Sequence, residues 1–314
     1  MQTITLGVSP LRSSRLAYGC WRVAGSWDPR EITPESWAAG KLAIRTAYEA
    51  GYTLFDNADI YCGGEAERLL GEVLREIPGM RERVLIATKC GIRPPNTPYP
   101  GAPQRYDFSA EHILRSCEES LRRLGIDTLD LLLLHRPDFL ANPEEVADAF
   151  ARLQAAGKVR FFGVSNCRPT LLTALQCACP MPLIVHQVEI SLLQREAFTD
   201  GTLDQCLIEH ITPQAWSPLA GGLLADGASR LLRWQERYST AGVLQELDAL
   251  ARQYQTTRSV IALAWLLKHP SGIVPIVGST RPERIREAVR ATEIELSRDD
   301  WYRLLLAARG EPLP

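Results

Sequence analysis

The feature that most limits how this chain can fold is one repeated pattern. A short apolar run is followed by a stretch with apolar residues three and four apart, and the pair recurs along the whole sequence. The runs fall at residues 16–18, 53–55, 84–87, 129–134, 160–164, 183–188, 212–215 and 273–277. Some, such as LDLLLL at 129–134, are apolar on both faces, as strands of a parallel sheet covered on both sides must be. The intervening stretches are helical in period. Ala66, Leu69, Leu70, Val73 and Leu74 form one face, Ala110, Ile113, Leu114, Cys117, Leu121 and Leu124 a second, and Val146, Ala149, Phe150, Leu153 and Ala156 a third.

Start and stop signals punctuate this pattern. Thr33-Pro34 and Asn142-Pro143 each put a capping side chain before a proline at the first helical position, and Glu145 completes a capping-box spacing from Asn142. Gly51, Gly125 and Gly157 follow the last apolar helix positions, where a left-handed residue ends a helix. The 314 residues match two average domains or one large barrel, and no charged or Ser-rich linker divides them. One domain over 1–314 is expected, of the α/β class: a (β/α)8 TIM barrel, with an N-terminal β-hairpin in residues 2–15 and long loops at its C-terminal mouth. A doubly wound sheet is the rival, but its dinucleotide fingerprint G-x-G-x-x-G is absent.

Composition narrows the function. With 35 Lys+Arg against 37 Asp+Glu and no basic block, nucleic acid is not an expected partner. No apolar stretch approaches the roughly 18 residues of a membrane span, and residues 1–10 lack the pattern of a secretory signal, so a cytoplasmic protein is expected. Eight cysteines without a C-x-x-C pair give no metal site and no disulfide framework, Cys177 and Cys179 being the nearest pair.

In a barrel, chemistry gathers where strands finish. The residues there are Gly19-Cys20-Trp21, Asp56 followed by Tyr61, Lys89, His135, Ser165-Asn166, Gln187, Trp216-Ser217 and Gly278-Ser279. Four make a chemical set. A phenol with a pKa of about 10 donates a proton at neutral pH only if a cation stabilises the phenolate. Lys89 can be that cation for Tyr61, Asp56 can keep Lys89 charged, and His135 can hydrogen-bond a substrate oxygen or polarise the phenol. The set suits protonation of an alkoxide that forms as hydride reaches a carbonyl carbon. Taken singly, each of the four is more often a cap, a packed ring or a solvated charge; their convergence is what carries weight.

DNADIY (56–61), ATKCG (87–91), LLLLHRP (131–137), GKVRFFGVSN (157–166), HQVEIS (186–191), WSPLAGG (216–222) and PIVGSTRPERIREA (275–288) together resemble the aldo-keto reductases, within them the YdhF-type bacterial oxidoreductases. The resemblance spans nearly the whole chain. It implies reduction of aldehydes or ketones with NADPH, NADH use being open, with Tyr61 as proton donor and Asp56, Lys89 and His135 completing the tetrad. By position it implies Ser165, Asn166 and Gln187 at the nicotinamide carboxamide, Trp216 stacked on the ring, and Gly19, Cys20 and Trp21 along its side. Ser217 and Leu219 fall at pyrophosphate positions, and Gly278, Ser279, Arg281, Arg284 and Glu287 belong to the phosphate and adenosine end. Free N–H groups before a helix near Pro282 suit that anion. Many members carry lysine at Gly278 and asparagine at Ala288; Arg284 and Arg281 are left to recognise the 2′-phosphate.

Two long segments shape the mouth. Residues 93–106 hold Pro94, Pro95, Pro98, Pro100 and Pro103, too many for regular structure; this loop should overhang the pocket together with Trp21 and Trp27. Residues 220–240, with Leu231, Leu232 and Trp234, should fold over the cofactor. Cys20, Cys62, Cys90 and Cys167 each adjoin a site residue, from which thiol sensitivity is expected. A Schiff-base lyase on Lys89 is an alternative, weakened because Asp56 would keep the amine protonated. A cofactor-binding regulatory subunit with slow turnover, known in the family, would retain the same four residues. A small-molecule carbonyl is the expected partner, with no obligate protein partner.

Overall fold

Each apolar run becomes a strand. The computed structural model describes residues 1–226, 235 and 238–313. From the N-terminus, β1 (Thr3–Thr5) and β2 (Arg12–Ser14) pair as an antiparallel hairpin. Next come β3 (Ala17–Gly19), β4 (Leu54–Asp56) and β5 (Leu85–Cys90), then a ribbon of β6 (Ile92–Arg93) and β7 (Arg105–Tyr106). The chain continues through β8 (Leu129–Leu134), β9 (Val159–Ser165), β10 (Leu183–Glu189), β11 (Thr212–Trp216) and β12 (Val274–Val277). Strands β3, β4, β5, β8, β9, β10, β11 and β12 follow one another around a closed barrel, β12 returning to β3, with every pair parallel. This is the expected (β/α)8 barrel with its N-terminal hairpin.

The strands run further toward the mouth than their apolar stretches. Lys89 pairs with Leu133 inside the ladder, and Trp216 with Glu189. Backbone pairing ends where the neighbouring strand ends, not where hydrophobicity does.

The helices are α1 (Pro34–Glu49), α2 (Glu65–Glu76), α3 (Ala110–Leu124), α4 (Pro143–Ala155), α5 (Pro169–Ala178), α6 (Thr202–Ile208), α7 (Ala241–Gln253), α8 (Arg258–Leu267), α9 (Pro282–Ala288) and α10 (Arg298–Arg309). Thr33 caps α1 in a reciprocal box with Ser36. Asn142 caps α4 through the Glu144 N–H, but the expected box does not close, because Glu145 accepts instead from the Ala110 N–H at 2.8 Å and ties α4 to α3. Gly51, Gly125 and Gly157 have φ of 88°, 66° and 70°, the left-handed stops that the spacing called for.

Two apolar layers result. Between sheet and helices lie the helix faces read from the sequence, among them Leu69, Leu70, Val73, Ile113, Phe150 and Leu153. Inside the barrel pack Ala17, Leu54, Ala87, Leu131, Leu133, Val185, Val274 and Ile276, joined by Leu6 and Leu11 from the hairpin region, which plug the floor. Each fully buried Leu, Ile or Val contributes about 1.5–3 kcal/mol. The floor is therefore closed, and the other end is left for the site. Among the described residues, no helix is long and apolar enough to cross a membrane.

The proline-rich segment departs from its expectation: its two ends pair as β6 and β7, Ile92 opposite Tyr106, with the prolines confined between them. Leu231, Leu232 and Trp234 lie outside the described residues.

Candidate functional site

Alternation along each strand builds the site. Side chains two apart face the same way, so the inward row that contributes Ala17, Leu54, Ala87, Leu133 and Val185 to the barrel interior continues into Gly19, Asp56, Lys89, His135 and Gln187. Tyr61 arrives differently. After β4 the chain keeps pairing with β5, Asn57 N–H to Ala87 O at 2.8 Å and Asp59 N–H to Lys89 O at 3.0 Å, before turning at Tyr61. Cys62, Gly63 and Gly64 then take φ of 49°, 62° and 94°, a left-handed turn that launches α2.

At the base of the mouth the Lys89 ammonium is fully buried. Its Nζ donates to Asp56 Oδ2 at 2.8 Å, to Asn57 O at 2.7 Å and to the Tyr61 hydroxyl at 3.1 Å. Burial pulls the Lys89 ammonium down, but the charges of Asp56 and Tyr61 outweigh it and leave the amine above its ordinary value. Burial likewise pushes the Tyr61 phenol up; Lys89 draws it back and Asp56 raises it again, the sum staying above the ordinary phenol range. Lys89 therefore opposes the rise without reversing it, and Tyr61 is a protonated phenol at neutral pH. His135 packs edge-on to Tyr61 with ring centroids 5.8 Å apart. Burial, then Lys89 and Arg136, hold its imidazole well below the usual histidine range, so it is neutral. Its Nδ1 is buried without a hydrogen-bond partner among the described residues.

A second set of bonds ties this group to the neighbouring strand ends. Gln187 Nε2 donates to Asp56 Oδ1 at 2.8 Å and to Gln214 Oε1 at 3.0 Å. Asn166, with φ of 58°, donates through Nδ2 to His135 O at 3.1 Å and to Ser165 Oγ at 2.7 Å, and accepts the Trp216 indole N–H at 2.9 Å. The Arg136 guanidinium lies 5.2 Å over the Trp216 ring.

These strand ends surround a cleft of about 670 Å3. Of the residues expected to build the site, Gly19, Trp21, Trp27, Asp56, Tyr61, His135, Ser165, Asn166, Gln187, Trp216, Ser217, Leu219, Gly278, Ser279, Arg284 and Glu287 line it. Lys89 stands behind Tyr61 and Asp56. Two residues do not reach the cleft. Cys20 follows inward-facing Gly19, points the opposite way and is buried in the layer under the helices. Arg281 is paired with Glu283 two residues on, at 2.6 Å, and stands outside the lining, whereas Arg284 is part of it. No residue of the proline-rich segment 93–106 lines the cleft; Ile92, just before it in the ribbon, does.

Sequence reading passed over Arg22, Ile60, Arg136, Glu189 and Ser259, all in the lining. Glu189 was within reach, being in phase with Gln187 on β10. Ser259 was not, since it comes from α8 rather than a strand end.

The expected thiol sensitivity is not supported. Cys20, Cys62, Cys90 and Cys167 are all buried, and burial raises each thiol, Cys167 up to about 12, which disfavours the reactive thiolate. Only Cys177, away from the mouth on α5, is exposed.

The comparison with known proteins places this arrangement. The model of the aldo/keto reductase family matches residues 15–305, almost the whole barrel. This chain belongs to the aldo/keto reductase family. Among curated relatives of this aldo/keto reductase, the 6-dehydroglucose reductase of Novosphingobium aromaticivorans is 42% identical over 98% of this chain and 96% of its own length. The oxidoreductase YdhF of Escherichia coli is 38% identical over the full length of both, in line with the branch that the motifs resemble. The crystal structure of the thermostable aldo-keto reductase Tm1743 superposes with a TM-score of 0.81 at 28% identity, covering 98% of this chain and 100% of that one. The chain is thus an oxidoreductase of this family, whose members use NAD(P)H.

The residues present fit such a dinucleotide. Gly278 sits in the lining with no atom within 4 Å of where a Cβ would stand, so the backbone after β12 is open to a close-approaching group. Ser279, Arg284 and Trp216 line the same cleft as Tyr61 and His135.

Proposed function

We propose that this aldo/keto reductase reduces aldehyde or ketone carbonyls to alcohols with NADPH, Tyr61 being the proton donor. The observation that supports it best is the hydrogen-bond run Asp56–Lys89–Tyr61, at 2.8 and 3.1 Å, ending at the floor of the cleft. When bound, NADPH would supply the hydride for the carbonyl carbon. The carbonyl oxygen, gaining electron density, takes the proton of the Tyr61 hydroxyl. Lys89 stabilises the phenolate left behind, and Asp56 keeps Lys89 charged and in place. Neutral His135 lines the same floor, where its imidazole can hydrogen-bond the carbonyl oxygen and fix its direction. The charge that Asp56 maintains on Lys89 also argues against Schiff-base chemistry, which needs a free amine.

Arg284 in the lining favours NADPH over NADH, since a guanidinium pairs well with a 2′-phosphate. Ser165, Asn166 and Gln187 would hold the carboxamide, Trp216 would face the ring, and Ser217, Leu219, Gly278 and Ser279 would line the phosphates. For the substrate we place sugar aldehydes first, because two relatives, at 42% and 39% identity, are named 6-dehydroglucose reductases. The mouth suits such a ligand. Trp21 and Trp27 stand edge-to-face at 5.9 Å, Trp27 lies 6.2 Å from the Tyr61 ring, and both indoles are about half exposed. They offer apolar faces for a sugar ring, with Arg22 and Arg136 as donors to its hydroxyls.

The test is loss of the near-ultraviolet absorbance of NADPH over a panel of sugar, aliphatic and aromatic carbonyls, with Tyr61→Phe alongside. Turnover by the wild type that Tyr61→Phe lacks supports the reading. Failure of the wild type on every carbonyl would remove it.

A further inference from the structure

A buried polar chain lies behind the Lys89–Tyr61 contact, on the helix side of the barrel wall. Thr88 precedes Lys89 on β5 and so points the other way, toward α2 and α3. Its hydroxyl donates to Glu67 Oε1 at 2.5 Å. Glu67, on α2 one turn beyond the Tyr61–Gly64 turn, is completely buried, and its other oxygen accepts from Arg123 Nε of α3 at 2.6 Å. Arg123 also touches the turn itself: a Cβ on Gly64 would stand 2.6 Å from Arg123 Cδ. Asp59 closes the group. Its N–H holds Lys89 O at 3.0 Å, and its Oδ1 is buried without a hydrogen-bond partner among the described residues.

Burial first, and the Glu67 charge second, push the Asp59 carboxyl up to about 8, against Arg123, which lowers it. At neutral pH Asp59 therefore keeps its proton, and Arg123 faces Glu67 at 2.6 Å and, at the surface end, Glu119 at 3.7 Å. A buried ion pair of this kind gains little stability over an apolar pair. What it provides is geometry, because one guanidinium and one carboxylate here connect the element that carries Tyr61 to the strand that carries Lys89.

We propose that Thr88, Glu67 and Arg123 are positioning residues for proton donation: through the chain Arg123–Glu67–Thr88 they lock β5 against the Tyr61 turn and so hold the Lys89–Tyr61 contact. The inference rests on Tyr61 being the donor. None of the three touches the cleft, so binding of substrate and cofactor should not depend on them.

Thr88→Val keeps the shape and removes the hydroxyl, Thr88→Ser keeps the hydroxyl, and Arg123→Lys keeps the charge but loses the Nε–H bond to Glu67. A small displacement of a catalytic group costs about 10- to 100-fold in rate. Thr88→Val and Arg123→Lys should lose about tenfold or more in kcat, with KM for the carbonyl and Kd for NADPH within about twofold of wild type, and Thr88→Ser should recover most of kcat. If Thr88→Val should not fold, Arg123→Lys carries the same comparison. Wild-type kcat in the folded variants, beside an inactive Tyr61→Phe, overturns the inference and leaves the reaction standing. Equal loss in Thr88→Val and Thr88→Ser also overturns it, because the hydroxyl would then not be what matters. A fully active Tyr61→Phe removes the reaction itself and the inference with it.

Discussion

Lys89 is a charged side chain with no solvent contact, and that fact organises the residue scale. Its three partners, Asp56, Asn57 O and the Tyr61 hydroxyl, replace the water it has lost. Lys89→Met should lower kcat by about 100-fold or more while NADPH still binds, because it removes the stabiliser of the Tyr61 phenolate and nothing in the cleft lining. Parallel measurements of kcat and of NADPH affinity by fluorescence check this, and an unchanged kcat would exclude Lys89 from the chemistry. Asp56, Lys89, His135 and Gln187 were legible in the sequence because a period of two carries each of them into the mouth from an apolar neighbour inside the barrel. The same parity, applied one residue later, would have turned Cys20 away from the cleft. The pairing of Arg281 with Glu283 was not legible, since only the fold shows that Glu283 reaches back to it.

Among the elements, α9 makes the point most clearly. It begins at Pro282 as the sequence suggests and presents Arg284 and Glu287 to the cleft. Arg284 donates to Asp226 O at 3.1 Å, so it is held across the cleft edge. A charge-assisted bond to a phosphate is worth about 1.5–3 kcal/mol, and about 1.4 kcal/mol is a factor of ten. Arg284→Ala should therefore weaken NADPH binding about tenfold or more and leave NADH binding nearly unchanged, as measured by titration of indole fluorescence. Equal weakening of both would deny it the 2′-phosphate. Strand and helix positions were readable throughout, because periodicity is a local signal. The pairing of Ile92 with Tyr106 was not: it closes a proline-rich loop through two residues that nothing in the local pattern marks, helped by Arg93 bonding Asp107 at 2.8 Å.

For the whole molecule, the eightfold repeat fixes a closed barrel, and closure brings residues as distant in sequence as Tyr18 and Ser279 within 3.1 Å. It also buries imidazoles. Burial lowers His112 and His186 to about 4 and His135 well below its ordinary value, whereas an unfolded chain would titrate all three near about 6.5. Between those values the unfolded state binds more protons, so their stability contribution is complete above about pH 6.5 and is lost as pH falls toward 4. Asp59, raised to about 8, acts in the opposite sense over the same range, but as one carboxyl against three imidazoles. Denaturant titrations at pH 7 and 4.5 should show lower stability at 4.5, and His186→Gln should shrink the difference; a protein more stable at 4.5 would contradict this. Pocket shape lies at this scale, and it was the least legible: Arg22, Arg136 and Ser259 meet in one cleft only after the barrel closes.

The central claim is that Tyr61 gives its proton to a carbonyl oxygen. Comparing wild type and Tyr61→Phe at saturating NADPH, on the carbonyl that the wild type reduces fastest, tests it most directly. A donor role predicts a fall in kcat of about 100- to 10,000-fold with NADPH affinity retained. Equal turnover by the two proteins would contradict it.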